Sequence, residues 1–373
     1  MDSTSDLAPL QRVMLRDSLA APTAGHHVEQ LEIVFAPTVP AANVIAAWQE
    51  TVRQTAALQI SFTVKNGNPE GWDFITPPII PHPAALLTES FTNWLAADRL
   101  RPLLAHGEVP WRTVFWPETR RFVWTFHHAL LDGRSIARIL RGFLSCIHGH
   151  HPEYLALSRW LPPTHDAIKQ ATQLFSSRPP SSVRLPSTDS DSTLAGHNLG
   201  ATFAVRLESL AGKMHTTVAA LLTWAWGQAI LAAADTDAIW VEQLRSGAPQ
   251  PGTAGFTMNL LPMLVRAETS LCQFHRELLD LRTIETVSPG DFPPAAFPNT
   301  SGPWASVIMV EHGTLHHTTH ASDSVEILKL HERKAESIVA TAYILPDLLL
   351  EVEGPHRHAL LASWIASLKK LKV

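Results

Sequence analysis

Along the first half of the chain the hydrophobic pattern switches between strand-like and helix-like spacing. His27–Ala36 carries Val28, Ile33, Val34 and Phe35 in a short β-branched and aromatic run, which predicts a strand. Val44–Leu58 has apolar residues at helical spacing, with Asn43 just ahead as the expected cap. Ile60–Lys65 returns to strand character and meets Asn66-Gly67, a pair that favours a tight hairpin leading to Trp72–Ile75. The proline-rich connection Pro77–Pro83 precedes a helical stretch at Glu89–Leu104. Two strands follow, Trp111–Trp116 and Arg121–His127, joined across Pro117-Glu118-Thr119-Arg120. After His127 the period changes again, and Ile136, Ile139, Leu140, Phe143, Leu144 and Ile147 fall on one helix face. Arg134, Arg138 and Arg141 occupy the other side. That stripe reads as a solvated face, with a docking surface for an acidic partner protein as the alternative.

Residues 176–193, rich in Pro, Ser and Asp, show no periodicity and read as a linker. Beyond it the general plan returns: a strand at Thr202–Leu207, a long Ala- and Trp-rich helix at Thr216–Ala233 and a strand at Ala238–Leu244. Next come Phe256–Val265, a helix near Leu271–Val287, and strands at Ser306–Glu311, Val325–Glu332, Ser337–Ile344 and Leu348–Val352. A final helix spans His356–Leu368. The pattern therefore predicts an α/β protein with an N-terminal lobe at 1–175, a linker at 176–200 and a C-terminal lobe at 201–373. The two halves show no detectable sequence repeat.

Composition narrows the class. With 45% hydrophobic and 17% charged residues over 373 positions, the chain buries a large core and is neither disordered nor fibrous. The net charge is −5, and no basic run offers a phosphate-binding face, so nucleic acid is not an expected partner. Cys146 and Cys272 lie far apart in apolar helical stretches and read as buried free thiols of a reducing compartment. The N-terminus lacks the basic start and apolar run of a signal peptide. The richest apolar segment, Thr216–Ala234, is interrupted by Trp224, Gly227 and Gln228 and followed by Asp235 and Asp237. It reads as a buried helix and not as a membrane span, and the expected location is cytoplasmic.

Absences prune the enzyme classes. There is no Gly-x-Ser-x-Gly elbow, and the Gly212-Lys213 pair has Leu207 where a phosphate loop needs its first glycine. No Gly-x-Gly-x-x-Gly follows a strand, and His331-Glu332 has Ala335 where a zinc-protease helix needs a second histidine. The histidine clusters His148/His150/His151 and His312/His316/His317/His320 read as solvated loops, so no metal site is expected. Trp224 and Trp226 read as packing. The positive signal is His127-His128-Ala129-Leu130-Leu131-Asp132-Gly133, placed where a strand ends and a helix begins. A neutral imidazole there has an unperturbed pKa near about 6.5, suited to taking a proton from a nucleophile. Gly133 permits an unusual turn and a close backbone approach to a ligand. The competing reading has Asp132 capping the helix and both histidines satisfying buried hydrogen bonds.

Phe126–Ser135, FHHALLDGRS, resembles the His-His-x-x-x-Asp-Gly signature of the condensation-domain superfamily: amide-forming domains of nonribosomal peptide synthetases and chloramphenicol-acetyltransferase-like acyltransferases. Ala8–Leu15 resembles the family's opening motif, in which a glutamine precedes a helix. Arg53–Phe62 is loosely similar to the Arg-His-x-x-Leu-Arg-Thr-x-Phe element, with Gln54 and Gln59 as departures and Leu58 one residue late. Gly255–Pro262 matches Gly-x-x-x-Asn-x-Leu-Pro. Order and approximate spacing agree across nearly the whole chain.

The resemblance implies a pseudo-dimer of two chloramphenicol-acetyltransferase-like lobes in a V with a central tunnel. It makes His128 the catalytic residue, supported by His127, Asp132 and Gly133. Asp132 would pair with an arginine; Arg245 is the candidate, although Leu244 replaces the glycine that precedes it in relatives. Asn259, Trp304 and Ser306 become tunnel residues, with Trp304 equally readable as core, and a backbone N–H near Gly133 a candidate oxyanion donor. The implied reaction joins an acyl or aminoacyl thioester to a small-molecule amine in specialised metabolism. Its donor is carried on the phosphopantetheine of an acyl or peptidyl carrier protein, or on coenzyme A, and no permanently bound cofactor or metal is implied. The missing Asp-Phe-Gly-Trp-Gly motif (Asp291-Phe292-Pro293-Pro294 is a superficial echo) separates the chain from plant-type acyltransferases. With no adenylation or carrier segment attached, it reads as a free-standing enzyme. An ester-forming O-acyltransferase using acyl-CoA and a non-catalytic relative that binds a carrier protein are the alternatives.

Overall fold

The structure, a computed structural model, describes residues 7–77, 82–83, 90–176, 194–235, 237–246, 250–287, 307–311, 324–331, 338–344 and 347–371. Most of the expected linker, and with it Trp304, Ser306 and the His312–His320 cluster, lies outside the described residues. The chain divides into two compact units. The first comprises Met1–Leu161, Ser246–Met258 and Thr314–Ala335; the second comprises Pro162–Arg245, Asn259–Gly313 and Glu336–Val373. The first crossing falls shortly before the expected linker, and two later segments return to the first unit, so the units interleave along the sequence.

In the first unit a five-stranded sheet is ordered Val325–His331, Val28–Phe35, Arg121–His127, Trp111–Trp116, His82–Pro83. The first four strands run antiparallel, with Val28 opposite His127 and Trp111 opposite Phe126. Strand alternation sends Leu31, Ile33, Phe35, Phe122, Trp124 and Phe126 to one face, each at most 1% exposed. Helices Ala41–Arg53 and Gly133–Ile147 cover that face. The Trp48 ring lies 5.1–5.7 Å from those of Trp111, Phe122, Trp124 and Phe143, so one large side chain ties both helices to the sheet.

Helix boundaries differ from the sequence pattern where local hydrogen bonding decides. The helix expected at Val44–Leu58 starts at Ala41 after Pro40 and stops at Arg53, and Ala56–Gln59 forms a separate 3-10 turn. The Gln59 amide donates to the carbonyls of Val52, Arg53 and Thr55, supplying partners that the helix end lacks. The stretch expected at Glu89–Leu104 is helical only over Phe91–Arg99, with the Ser90 hydroxyl accepting from the Asn93 N–H at its start. Asn66 and Gly67 both have positive φ, 51° and 75°, as the primed hairpin turn requires.

The second unit has a six-stranded sheet ordered Met258–Arg266, Ala238–Ser246, Val307–Glu311, Val339–Ile344, Leu348–Glu353, Leu194–Leu199. Val307–Glu311 runs parallel to both of its neighbours. Thr202–Leu207, expected as a strand, lies inside helix Gly200–Lys213. Ala204, Leu207, Leu210 and Ala211 form its buried face at helical spacing, a period that the short alternating window conceals. Helix Val218–Ala234 is apolar on all sides and packs against Arg357–Lys370, with the Trp226 and Trp364 rings 5.1 Å apart. A Cβ at Gly227 would lie 2.7 Å from the Val265 side chain, so the glycine permits the close approach of helix and strand. Among the described residues no single helix is long and apolar enough to cross a membrane. Both cysteines are free, but Cys146 is only half-buried and Cys272 is exposed. Helix Leu271–Asp280 buries Leu271, Phe274 and Leu278 and turns Cys272 outward.

Candidate active site

Strand Arg121–His127 ends in a 3-10 turn, His128–Leu130, and helix Gly133–Ile147 begins immediately after it. Asp132 is the N-cap: its Oδ1 accepts from the Ser135 N–H at 2.8 Å. The other carboxylate oxygen accepts from the Thr257 hydroxyl at 2.8 Å and from the Thr257 N–H at 3.3 Å. Asp132 N–H and Ser135 Oγ both donate to the Gly255 carbonyl, at 3.0 and 2.9 Å. The loop around His128 is thereby fastened to Gly255–Thr257. That strap places the Phe256 ring edge-on to the His128 ring at 6.1 Å. Gln11, within helix Pro9–Ala20 and not ahead of it, donates to the Ala129 carbonyl at 2.8 Å and accepts from Ala8 N–H. Two segments of the recognised sequence pattern therefore hold the histidine turn from either side.

The paired histidines have different environments. His127 is 1% exposed. Its Nδ1 accepts from the Ala129 N–H at 3.1 Å, and its Nε2 lies 2.9 Å from Ser18 Oγ. Ser18 Oγ donates onward to the His26 carbonyl at 3.0 Å, so it must accept from His127, which fixes a neutral ring with the proton on Nε2. Burial, reinforced by His27 and His128, pushes the His127 pKa down to about 3. His127 is thus a structural histidine, and it leaves a signature in stability. Its folded-state pKa lies below the unfolded value of 6.5, so the unfolded chain takes up the proton first on acidification. Stability is expected to fall as the pH drops below 6.5, and to keep falling toward about 3. The slope approaches about 1.4 kcal/mol per pH unit. Urea melts at neutral pH and near pH 5 should show a loss of about 2 kcal/mol that His127→Gln lacks. Equal losses in both proteins would refute the assignment.

His128 presents 18% of its side-chain surface. Its Nδ1 lies 3.0 Å from the Leu131 carbonyl oxygen and 3.1 Å from Oε1 of Glu29. Both are acceptors, so Nδ1 carries a proton and, in the neutral ring, the lone pair sits on Nε2. Glu29 is not among the sequence-derived candidates. A signal for it exists, since strand alternation places Glu29 on the same face as Leu31, Ile33 and Phe35, where a carboxylate is out of place.

The other expected site residues fall as follows. Gly133 occupies the first helical position with no positive φ, and a Cβ there would meet nothing within 4 Å. The turn therefore does not depend on glycine. Asp132 and Arg245, expected as a pair, belong to different units, and each has partners within its own unit. Asp132 is held by Ser135 and Thr257, while Arg245 lies 3.2 Å from Glu285 and donates to the Leu278 carbonyl. Asp132 needs no cation, because three donors already satisfy its oxygens. Asn259 is 2% exposed, and its amide donates to the Glu285 and Val287 carbonyls, so it secures that segment instead of lining an open surface. Among the described residues no group of three or more His, Cys, Asp or Glu side chains is placed to hold a metal ion. His148, His150 and His151 are exposed, and Arg138, within the arginine stripe, donates to the Gln250 and Thr253 carbonyls.

No family model matches the chain. Over 191 residues, 45% of this chain, it is 29% identical to a linear gramicidin synthase polypeptide of Brevibacillus parabrevis. That alignment covers 2% of the relative's length. Among solved structures, the first condensation domain of the CDA synthetase superposes with a TM-score of 0.73 at 15% identity, over 99% of this chain and 96% of that one. The chain has the condensation-domain fold. VibH, a nonribosomal peptide synthetase condensation enzyme, shares that fold with a TM-score of 0.71 at 15% identity, over 97% and 93% of the two chains. The condensation-domain fold accounts for the agreement in motif order noted in the sequence, and the histidine turn lies in the unit formed mainly by the first part of the chain.

Proposed function

We propose that the protein is a condensation-type acyltransferase that joins a thioester-activated acyl or aminoacyl donor to a free amine. The donor is carried on the phosphopantetheine arm of a carrier protein. The observation that carries this reading is the state of His128: a partly exposed ring whose Nδ1 faces two oxygen acceptors, leaving Nε2 as the basic nitrogen. The fold and the motif resemblance support the choice of thioester chemistry.

In the proposed reaction the amine nitrogen attacks the thioester carbonyl, and the C–N bond forms as electrons move onto oxygen. His128 Nε2 takes the proton that the nitrogen sheds. The tetrahedral intermediate then collapses, the C–S bond breaks, and the proton passes to the sulfur, releasing an amide and a thiol. The stoichiometry balances without a redox partner. General-base assistance of this kind is worth about 10²–10⁴-fold, and holding the two reactants together contributes more. The backbone N–H at Gly133 is our candidate donor to the oxyanion. The two-lobed arrangement with a passage reaching His128 from either side belongs to this proposal.

The test offers the full chain paired donors, carrier-bound and coenzyme A thioesters, against amine and alcohol acceptors, with products read by mass. An amide formed from the carrier-bound donor is the expected result. An ester formed from the coenzyme A donor would replace this reading with an O-acyltransferase. Carrier binding without any product would replace it with a non-catalytic role.

A further inference from the structure

We infer that Glu29 is a positioning residue of His128, which together with the Leu131 carbonyl keeps the proton on Nδ1 and by its charge raises the basicity of the ring. Glu29 stands in strand Val28–Phe35 on the face that Leu31, Ile33 and Phe35 bury, directly opposite Phe126 of the neighbouring strand. It is 3% exposed. Taking a carboxylate out of water at an apolar face costs stability unless a cation or hydrogen-bond donor meets it. Packing alone gives no reason for it, since an apolar residue would continue the pattern of the strand. Its Oε1 meets Nδ1 of His128 at 3.1 Å.

The Leu131 carbonyl, 3.0 Å from the same nitrogen, can fix the tautomer, but it is uncharged. The carboxylate adds a negative charge beside the ring, which favours the imidazolium that forms when Nε2 accepts a proton. Among the described residues, titratable neighbours of His128 in the chain and on the adjoining strand include His27, His127 and Asp132. His27 precedes the strand, and its carbonyl accepts from the His128 N–H at 2.7 Å. His127 is neutral, and the Asp132 carboxylate is turned toward Ser135 and Thr257. Glu29 is the carboxylate within contact distance of the His128 ring nitrogen.

The kinetic consequence rests on the acyl-transfer reading, but the state of the ring does not. Isotope-labelled histidine in the full chain, followed by heteronuclear correlation spectra across pH, reports tautomer and titration directly, with His128 assigned from its absence in His128→Asn. The unmodified protein is expected to show neutral His128 protonated on Nδ1. In Glu29→Gln its titration midpoint is expected to fall by about one unit or more. Glu29→Asp, which keeps the charge and withdraws it, should lie between. A ring protonated on Nε2 in the unmodified protein would overturn the inference without any variant being needed, as would an unmoved midpoint in folded Glu29→Gln. Where product is formed, Glu29→Gln should lower kcat by about 10-fold or more with KM little changed. Should the protein form no product with any donor, the reading of its function fails while the spectra still decide the role of Glu29.

Discussion

Replacing His128 with asparagine is expected to slow condensation by about 10²–10⁴-fold while leaving the melting temperature nearly unchanged. The asparagine amide can supply an N–H close to the place of Nδ1, facing the Leu131 carbonyl and Glu29, but it has no basic nitrogen in the place of Nε2. Alanine makes a different experiment. It removes the base and also takes away the Nδ1–H donor that faces the buried Glu29 carboxylate, so about 2–3 kcal/mol of stability should go with it. Comparing initial rates with denaturant melts for the two variants separates chemistry from folding. Asparagine retaining the full rate would mean that proton removal by His128 is not what accelerates the reaction, and the proposed mechanism would have to be abandoned.

The second large effect concerns Asp132. Changing it to alanine removes the cap of helix Gly133–Ile147, worth about 1 kcal/mol, together with two hydrogen bonds to Thr257. Bonds to a charged acceptor contribute about 1.5–3 kcal/mol each, but Thr257 is only partly buried and regains some hydration. The net loss should be about 2–4 kcal/mol, read as a shift of the denaturant midpoint. Activity should fall as well in the fraction that remains folded, because the strap carrying Phe256 loses its hold at Thr257 and is fastened to the turn only through Gly255. The variant Asp132→Asn keeps an acceptor for Ser135 and should recover much of the stability. If Arg245→Ala reproduced the whole Asp132→Ala phenotype, the assignment of Ser135 and Thr257 as the partners of Asp132 would be wrong.

Most secondary structure is legible in the sequence because the periods are strong. Trp111–Trp116 and Arg121–His127 are bounded residue for residue, and the helix after His127 announces itself through its apolar face. Failures come where a local pattern admits both periods, as at Thr202–Leu207, or where side chains such as Gln59 end a helix that propensity would continue. At the site, the motif points to His128 without revealing what holds its ring. The Glu29 contact depends on register, since pairing Val28 with His127 is what brings the residues beside them together. A one-residue slip would turn that carboxylate to the opposite face. Asn259 and Arg245 escape the sequence reading for a related reason. Motif position tells that a polar residue matters, but not whether its hydrogen bonds go to a substrate or to neighbouring carbonyls.

Strand Val325–His331 forms an edge of the same sheet as Val28–Phe35, with Gln30 opposite His331. During synthesis the Val28–Phe35 strand must therefore wait for about 300 further residues to leave the ribosome before its sheet is complete. Exchanging the first 175 residues between relatives would separate that strand from its neighbour and the Thr257 strap from its anchor. Productive chimaeras should instead move three separate stretches of sequence together.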